Sequence, residues 1–252
     1  GIKVGSGALF CFRWSRKVRT LVLCMCFLVI FLAAICSAGA AVPRDLELAL
    51  KGFRSDVPPG WSFTQTTSAE GKSTVERSDA GKPEFDRWTL ALKNGRAPAA
   101  DDLRDYGDAR SRRSRGGTAP RLVDQLDLGS LETVSGDDVR VTYRCRLRPG
   151  ETGDKTAAFL RATVVVHKVT HTIEMIELVS ASGFSPGFGV SIAELLTRMT
   201  YSLPTEGRPS FPQQVATRVR GTAFFFKSLD AEMTVTFGDF IQPVKRTRAA
   251  SP

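Results

Sequence analysis

The chain has two histidines, His167 and His171, and their spacing of four residues is the pattern nearest to a metal site. Such a pair can chelate a metal ion when it lies on one face of a helix. Residues 162–166 before the pair are rich in valine, which favours a strand instead. In a strand the two alpha carbons would be about 13 Å apart, because each residue advances about 3.3 Å. We expect no metal site here, unless a turn at 168–170 brings the histidines closer.

The glycine-rich segment 182–189 (SGFSPGFG) comes nearest to a phosphate-binding loop. It lacks the lysine and the following helix that give such loops their affinity for anions, so we expect a connection between strands. The carboxylate pair Glu174 and Glu177 and the pair Asp137 and Asp138 have spacings typical of a solvated surface. The sequence therefore predicts a protein that is not an enzyme, without a catalytic residue, a metal or a cofactor.

Cys145 is the single cysteine after residue 40, so no disulfide can form within residues 41–252. It belongs to an alternating run in which Val139, Val141 and Tyr143 share its face. Small apolar surroundings of this kind are typical of structural cysteines. We therefore expect a buried, unreactive thiol rather than a nucleophile.

Residues 21–40 carry no charge and follow a basic segment, which is the pattern of an export signal. Small residues at the end of this segment predict cleavage between Ala40 and Ala41, and hence a periplasmic protein. Two alternatives stay open. The segment is long enough to remain as an uncleaved membrane anchor, and Cys36 could be a lipidation site, although Ile35 before it is larger than that processing prefers.

The formal net charge of +9 comes partly from the first 40 residues. They contain five basic residues and no acidic residue, so residues 41–252 contain 30 basic and 26 acidic side chains, a net charge of +4. A charge this small gives little long-range attraction towards phosphate. We therefore expect no nucleic-acid partner.

Residues 41–252 are numerous enough for one sizeable core, and we expect a single domain of the mainly β (α+β) class. Short runs of alternating apolar and polar residues, separated by tight-turn residues, predict an antiparallel sheet. The predicted strands are 61–65, 72–77, 85–93, 139–147, 162–168, 172–179, 215–227 and 232–237. Residues 228–231 have a turn-like composition and predict a hairpin between the last two strands.

Helices are predicted at two places. Residues 44–53 favour a short helix directly after the cleavage site. Residues 101–109 begin with two aspartates, which suit the positive end of a helix, and their apolar side chains recur every third residue. These apolar residues are Leu103, Tyr106 and Ala109. Residues 192–203 fit both a helical face and a strand, and we predict a strand for their second half.

An arginine-rich segment, residues 110–120, separates two groups of predicted strands. It has four arginines in six residues and no apolar anchor, so we expect a disordered loop. Arg112, Arg113 and Arg115 could bind anionic lipid head groups and so give a peripheral contact with a membrane, because guanidinium groups suit phosphate. The alternative is a solvated loop without a ligand.

Two segments, 164–166 and 223–226, are apolar on both faces of their strands. An open sheet in water would not tolerate this, so each side must be covered. Helices or a bound ligand could provide the cover. The alternative is an ordinary sandwich whose second face is covered by the helix containing Leu103 and by the chain termini. The residues that we expect to line the resulting apolar interior are Phe63, Trp88, Val165, Phe225, Met233, Val235 and Phe237.

Several of these features resemble those of the periplasmic lipoprotein-carrier superfamily of LolA, LolB and RseB type. They are a short N-terminal helix, a meander from Trp61 to Trp88 and later long antiparallel strands. The segments Trp-x5-Asn-Gly-x-x-Pro at 88–98 and Val-x-Gly-x-Ala-x-x-Phe-Lys at 219–227 are also similar to those of bacterial exported proteins. Residues 94–115 depart from the compact carriers, and no lipid-gripping arginine of those carriers matches a position here.

The resemblance implies an unclosed antiparallel barrel, or strongly curved sheet, covered on one face by a few helices. It also implies an exported, non-enzymatic protein of the bacterial cell envelope that binds an apolar ligand, either a lipid or a lipoprotein acyl chain. The alternative is an envelope module for protein interaction or stress sensing, without a small-molecule ligand.

Overall fold

The computed structural model describes residues 41–113, 121–149, 156–187, 189–224 and 227–242, which contain eleven strands. The strands are β1 (Ser62–Ala69), β2 (Lys72–Ser78), β3 (Trp88–Lys93), β4 (Leu126–Gly136), β5 (Arg140–Leu147), β6 (Leu160–His167), β7 (Thr172–Ser180), β8 (Phe184–Gly187), β9 (Val190–Tyr201), β10 (Pro212–Ala223) and β11 (Lys227–Ile241). They form one antiparallel sheet in the order β3-β2-β1-β11-β10-β9-β7-β6-β5-β4, with β8 paired to β9. Because β3 and β4 are its two edges, the sheet does not close, and the predicted mainly-β, unclosed fold is confirmed.

The helices in this part of the chain are few. They are α1 (Arg44–Gly52), α2 (Ala100–Arg113), α3 (Leu122–Gln125) and a 3-10 turn (Thr156–Phe159). Both predicted helices are therefore confirmed, and α2 extends four residues past the predicted end. None of the helices described is long and apolar enough to cross a bilayer. The predicted export signal, residues 21–40, lies outside the described residues.

The strand register assigns one set of side chains to a common face of the sheet, which we call the inner face. Neighbouring strands place these residues directly opposite one another: Tyr143, Val164, Ile176, Met199, Val215, Val235, Thr67 and Thr74. Helix α1 covers the inner face at β6 and β7, and α2 contacts β3 at the other end of the sheet. Val164 and Ile176 share one core with α1, and Thr67, Thr74 and Val235 line a cavity with α2, so both helices lie on the inner side of the sheet.

The main hydrophobic core lies between α1 and the inner face of β4 to β7. Helix α1 contributes Leu46, Ala49 and Leu50, which are buried and recur at helical spacing. Acidic residues in its first turn and Lys51 in its last turn suit the helix dipole. The remaining buried members of this core are Leu126, Val141, Tyr143, Cys145, Ala162, Val164, Val166, Ile173, Ile176 and Tyr201.

The opposite side, which we call the outer face, is polar. Glu132 pairs with Arg144, Glu177 with Arg198, and Glu232 with Arg218, each across neighbouring strands. Val165 also lies on the outer face, half-buried between Thr142 and Met175, because strand β6 alternates and buries Val164 and Val166. The expectation that Val165 lines the interior is therefore wrong, and a run of three valines does not need a cover on both sides.

The last hairpin turns earlier than its sequence indicates. Ala223 pairs with Lys227, and the register continues through residues 228–231, so the turn predicted at 228–231 is wrong. Leu229 and Ala231 are half-buried while Ser228 and Asp230 are exposed, which is the alternation of a strand. Phe225 lies outside the described residues.

Two other segments differ from the sequence-based expectations. Strand β9 is extended throughout residues 190–201, including the half for which a helical face was an alternative. Helix α2 runs through Arg113, so the first four residues of the arginine-rich segment are helical rather than part of a loop. Arg115 lies outside the described residues, and the binding of anionic head groups by Arg112, Arg113 and Arg115 stays a prediction.

Candidate functional site

A cavity of about 410 Å³ lies between α2 and the part of the sheet formed by β1, β2, β3 and β11. This volume is within the usual range for small-ligand sites. Leu90, Met233 and Val235 from the strands and Ala109 from α2 give it apolar walls. Strand register places Val235 opposite Thr67, so these walls belong to the inner face.

Helix α2 covers this cavity without burying any side chain of residues 100–110. Tyr106 and Ala109 are half-buried, as their predicted spacing requires, but Leu103 is 48 % exposed. A helix with so little buried apolar surface can separate from the sheet at a small loss of hydrophobic stabilisation. The hydrophobic contribution to the attachment of this cover is therefore smaller than that of α1.

Polar contacts hold α2 near each of its ends. At the start, Lys93 Nζ lies 2.5 Å from Asp102 Oδ1, and the backbone N–H of Ala99 donates to Asp102 Oδ2 at 3.0 Å. The hydrogen bond with Lys93 lowers the pKa of Asp102 and raises the pKa of Lys93. Towards the other end, the Arg110 guanidinium lies over the Trp88 ring, 4.6 Å from its centroid. These contacts fix the helix above β3.

The structure brings together five of the seven residues that were predicted to line an apolar interior. Met233 and Val235 line the cavity itself. The Phe63 ring packs edge-on against Trp88 with 5.3 Å between centroids, and lies 6.1 Å from Phe237. All five remain partly accessible, and Met233 is 40 % exposed. The apolar side chains at this end of the inner face are thus incompletely covered.

Three further aromatic residues that sequence reasoning missed extend this ring cluster. Phe240 lies 6.2 Å from Phe63 and stacks on Phe211 at 4.2 Å, and Trp61 packs edge-on against Phe211 at 4.8 Å. The pairing of β1 with β11 is irregular next to Phe240, because Ser62 pairs with Ile241 while Thr64 pairs with Gly238. Asp239 has a positive φ in this irregular stretch. The regular alternation of a strand does not anticipate such an irregularity. The sequence pattern therefore did not indicate that Phe240 joins this cluster.

Glu76 is the one charged residue among the buried side chains of the described part of the chain, with 5 % exposure. It lies on β2 between Gln65 and Leu90, which the register places opposite it, and it lines the cavity. Its Oε2 accepts a hydrogen bond from Gln65 Nε2 at 3.2 Å. Its Oε1 is buried and accepts no hydrogen bond from the residues described.

A second depression, of about 650 Å³, lies on the outer face. Its charged side chains already have partners within the protein. Arg144 and Arg146 pair with acidic residues at 3.4 Å, and Arg161 Nη1 donates to the Leu160 carbonyl at 3.0 Å. The charged side chains of this depression therefore have partners, whereas the cavity under α2 contains a buried carboxylate oxygen of Glu76 that accepts no hydrogen bond from the residues described.

The groups that were considered for catalysis or metal binding lie elsewhere. Cys145 is 3 % exposed, as predicted, and burial raises the pKa of its thiol to about 11. His167 Nδ1 lies 2.9 Å from Thr170 Oγ1, and His171 Nδ1 lies 3.3 Å from Asp45 Oδ1. The described residues contain no group of three or more His, Cys, Asp or Glu side chains that could hold a metal ion.

Residues 183–187 (GFSPG) match the G-x-S-x-G pattern of serine nucleophiles, a match that sequence reasoning overlooked. In that motif the serine lies on a sharp turn between a strand and a helix. Here Ser185 lies in the short strand β8, which pairs with the next strand, β9. The match therefore lacks the structural context of a nucleophile.

Comparisons of the chain with protein-family models, with curated proteins and with solved structures gave no match. The resemblance to the lipoprotein carriers accordingly stays a prediction. The cavity under α2 has to be interpreted from its own geometry and chemistry.

Proposed function

We propose that this chain is an exported, non-enzymatic protein of the bacterial cell envelope that binds an apolar ligand in the cavity under α2. The ligand class is a lipid or the acyl chain of a lipoprotein. The main support is the contrast between the walls and the cover of the cavity. Leu90, Met233 and Val235 offer apolar surface, while the helix above them buries no side chain among residues 100–110. Partly covered apolar surface of this kind is typical of binding sites.

The aromatic cluster beside the cavity supports the same proposal. Phe63, Trp88 and Phe237 continue the apolar surface along the inner face. An alkyl chain lying against them would lose contact with water, and each buried methylene contributes about 0.8 kcal/mol. The affinity for alkyl ligands should therefore rise about fourfold with each added methylene until the cavity is filled.

A variant that fills the cavity tests this proposal. We expect Val235→Trp to weaken binding of the neutral fluorescent probe 1-N-phenylnaphthylamine by about tenfold or more, because the indole would occupy space that the probe needs. Fluorescence titration of the full chain measures this affinity, and circular dichroism shows whether the variant is folded.

Val75→Trp is the matched control for this experiment. Val75 is also a half-buried strand valine in the same part of the sheet, but its partner Thr66 places it on the outer face. We expect this control to bind the probe as the unchanged protein does. Equal loss in both folded variants, or no binding by the unchanged protein, would contradict a ligand in this cavity.

A further inference from the structure

The buried carboxylate of Glu76 places an unsatisfied acceptor at the wall of the cavity under α2. A buried charged group is strongly unfavourable unless hydrogen bonds or an opposite charge compensate it. Gln65 satisfies one oxygen, at 3.2 Å, and the second oxygen, Oε1, accepts nothing from the described residues. A ligand group that donates a hydrogen bond would satisfy this oxygen.

The other charges around the cavity favour a cation at this position. Its lining contains three acidic residues, Glu76, Asp102 and Asp105, and two basic residues, Lys93 and Arg110. Lys93 and Asp102 compensate each other in their ion pair, and the Arg110 guanidinium lies over Trp88. The lining is therefore net acidic by one charge, although the whole chain has a net charge of +9.

The strand register joins this acceptor to the apolar walls. Leu90 lies directly opposite Glu76 on β3, and Gln65 lies opposite it on β1. Val235 and Met233 follow along β11 on the same inner face. A ligand with its head at Glu76 can thus place an alkyl chain along these side chains.

We propose that the cavity binds an amphiphile with a cationic ammonium head group, and that Glu76 Oε1 accepts a hydrogen bond from this ammonium. This inference rests on the proposed binding of an apolar ligand and adds the chemistry of the head group. The alkyl chain supplies the hydrophobic part of the affinity, while Glu76 selects an ammonium over a hydroxyl or a carboxylate.

Displacement of 1-N-phenylnaphthylamine from the full chain by three ligands with equal chains tests this inference. The ligands are dodecylamine, dodecanol and dodecanoate at pH 7. We expect dodecylamine to bind about tenfold more tightly than dodecanol, or better, because a hydrogen bond to a charged group has about that effect. The positive charge of the whole protein favours dodecanoate, so a preference for the amine must come from the site itself.

The Glu76→Gln variant removes the charge but keeps the shape of the side chain. We expect dodecylamine and dodecanol to displace the probe from this variant with similar affinities, so that the preference for dodecylamine is lost. The Glu232→Gln control lies on the outer face, where Glu232 pairs with Arg218, and it should keep that preference.

The outcomes separate this inference from the proposed function. If the neutral probe binds but dodecanol or dodecanoate displaces it as well as dodecylamine does, the ammonium head group is wrong and the apolar site stands. Retention of the amine preference in folded Glu76→Gln also overturns the role of Glu76. Absence of probe binding by the unchanged protein overturns both proposals.

Discussion

The Gly221→Ala variant is expected to fold with severely reduced stability. A Cβ atom at this position would lie 2.1 Å from the Ser191 carbonyl oxygen and 3.0 Å from the Ile192 Cα. Both are backbone atoms of the neighbouring strand β9, so no side chain can rotate to make room. The pairing of β9 with β10 would have to shift, and we expect a loss of about 3 kcal/mol or more in the free energy of unfolding.

Urea unfolding followed by circular dichroism measures this effect, and Gly238→Ala provides the control. Gly238 lies in strand β11, and a Cβ there would meet no atom within 4 Å. Its replacement should change the stability by about 1 kcal/mol at most. Similar losses in the two variants would contradict the close approach of β9 to Gly221.

The second large effect is expected for Leu46→Ala in α1. The Leu46 side chain is 0 % exposed in the core between α1 and the sheet, so truncation leaves a cavity as well as removing apolar contacts. Such replacements reduce the free energy of unfolding by about 2–5 kcal/mol. For a protein of this size each kcal/mol lowers Tm by about 2–4 °C, which thermal unfolding can resolve.

Leu48→Ala in the same helix is the matched control, because Leu48 is 36 % exposed. Its replacement should reduce the stability by about 1 kcal/mol or less. Equal effects of the two substitutions would mean that α1 does not pack on the sheet through Leu46. The expected difference also separates the roles of the helices, since α1 stabilises the core and α2 covers a cavity without burying a side chain among residues 100–110.

The sequence pattern predicted many of the strands because their inner-face residues are apolar and their outer-face residues polar. Strand β5 is an example, with Val141, Tyr143 and Cys145 buried and Arg144 exposed. Strand β4 was missed because it buries only Leu126 and ends in an exposed half without apolar alternation. The turn predicted at 228–231 was wrong because its composition suits a turn while its alternation suits a strand.

The candidate site was only partly predictable for a related reason. Apolar type and alternation were sufficient to select Met233, Val235 and Phe237, which share a face of β11. The residues around Glu76 in the sequence gave no indication that its side chain is buried, because this burial depends on the register that places Gln65 and Leu90 beside it. This register depends on the turn between β1 and β2 and on the irregularity in the pairing of β2 with β3 next to Glu76, and the alternation of residue types does not specify either.

Photo-crosslinking with an alkyl amphiphile that carries a diazirine in its chain is the most direct test of the binding site. Peptide mass spectrometry then locates the labelled residues. A ligand under α2 predicts labels within Trp88–Lys93, Ala100–Arg113 and Lys227–Ile241, which border the cavity. Labels confined to the outer-face depression around Arg144, Arg161 and Glu177 would contradict the site.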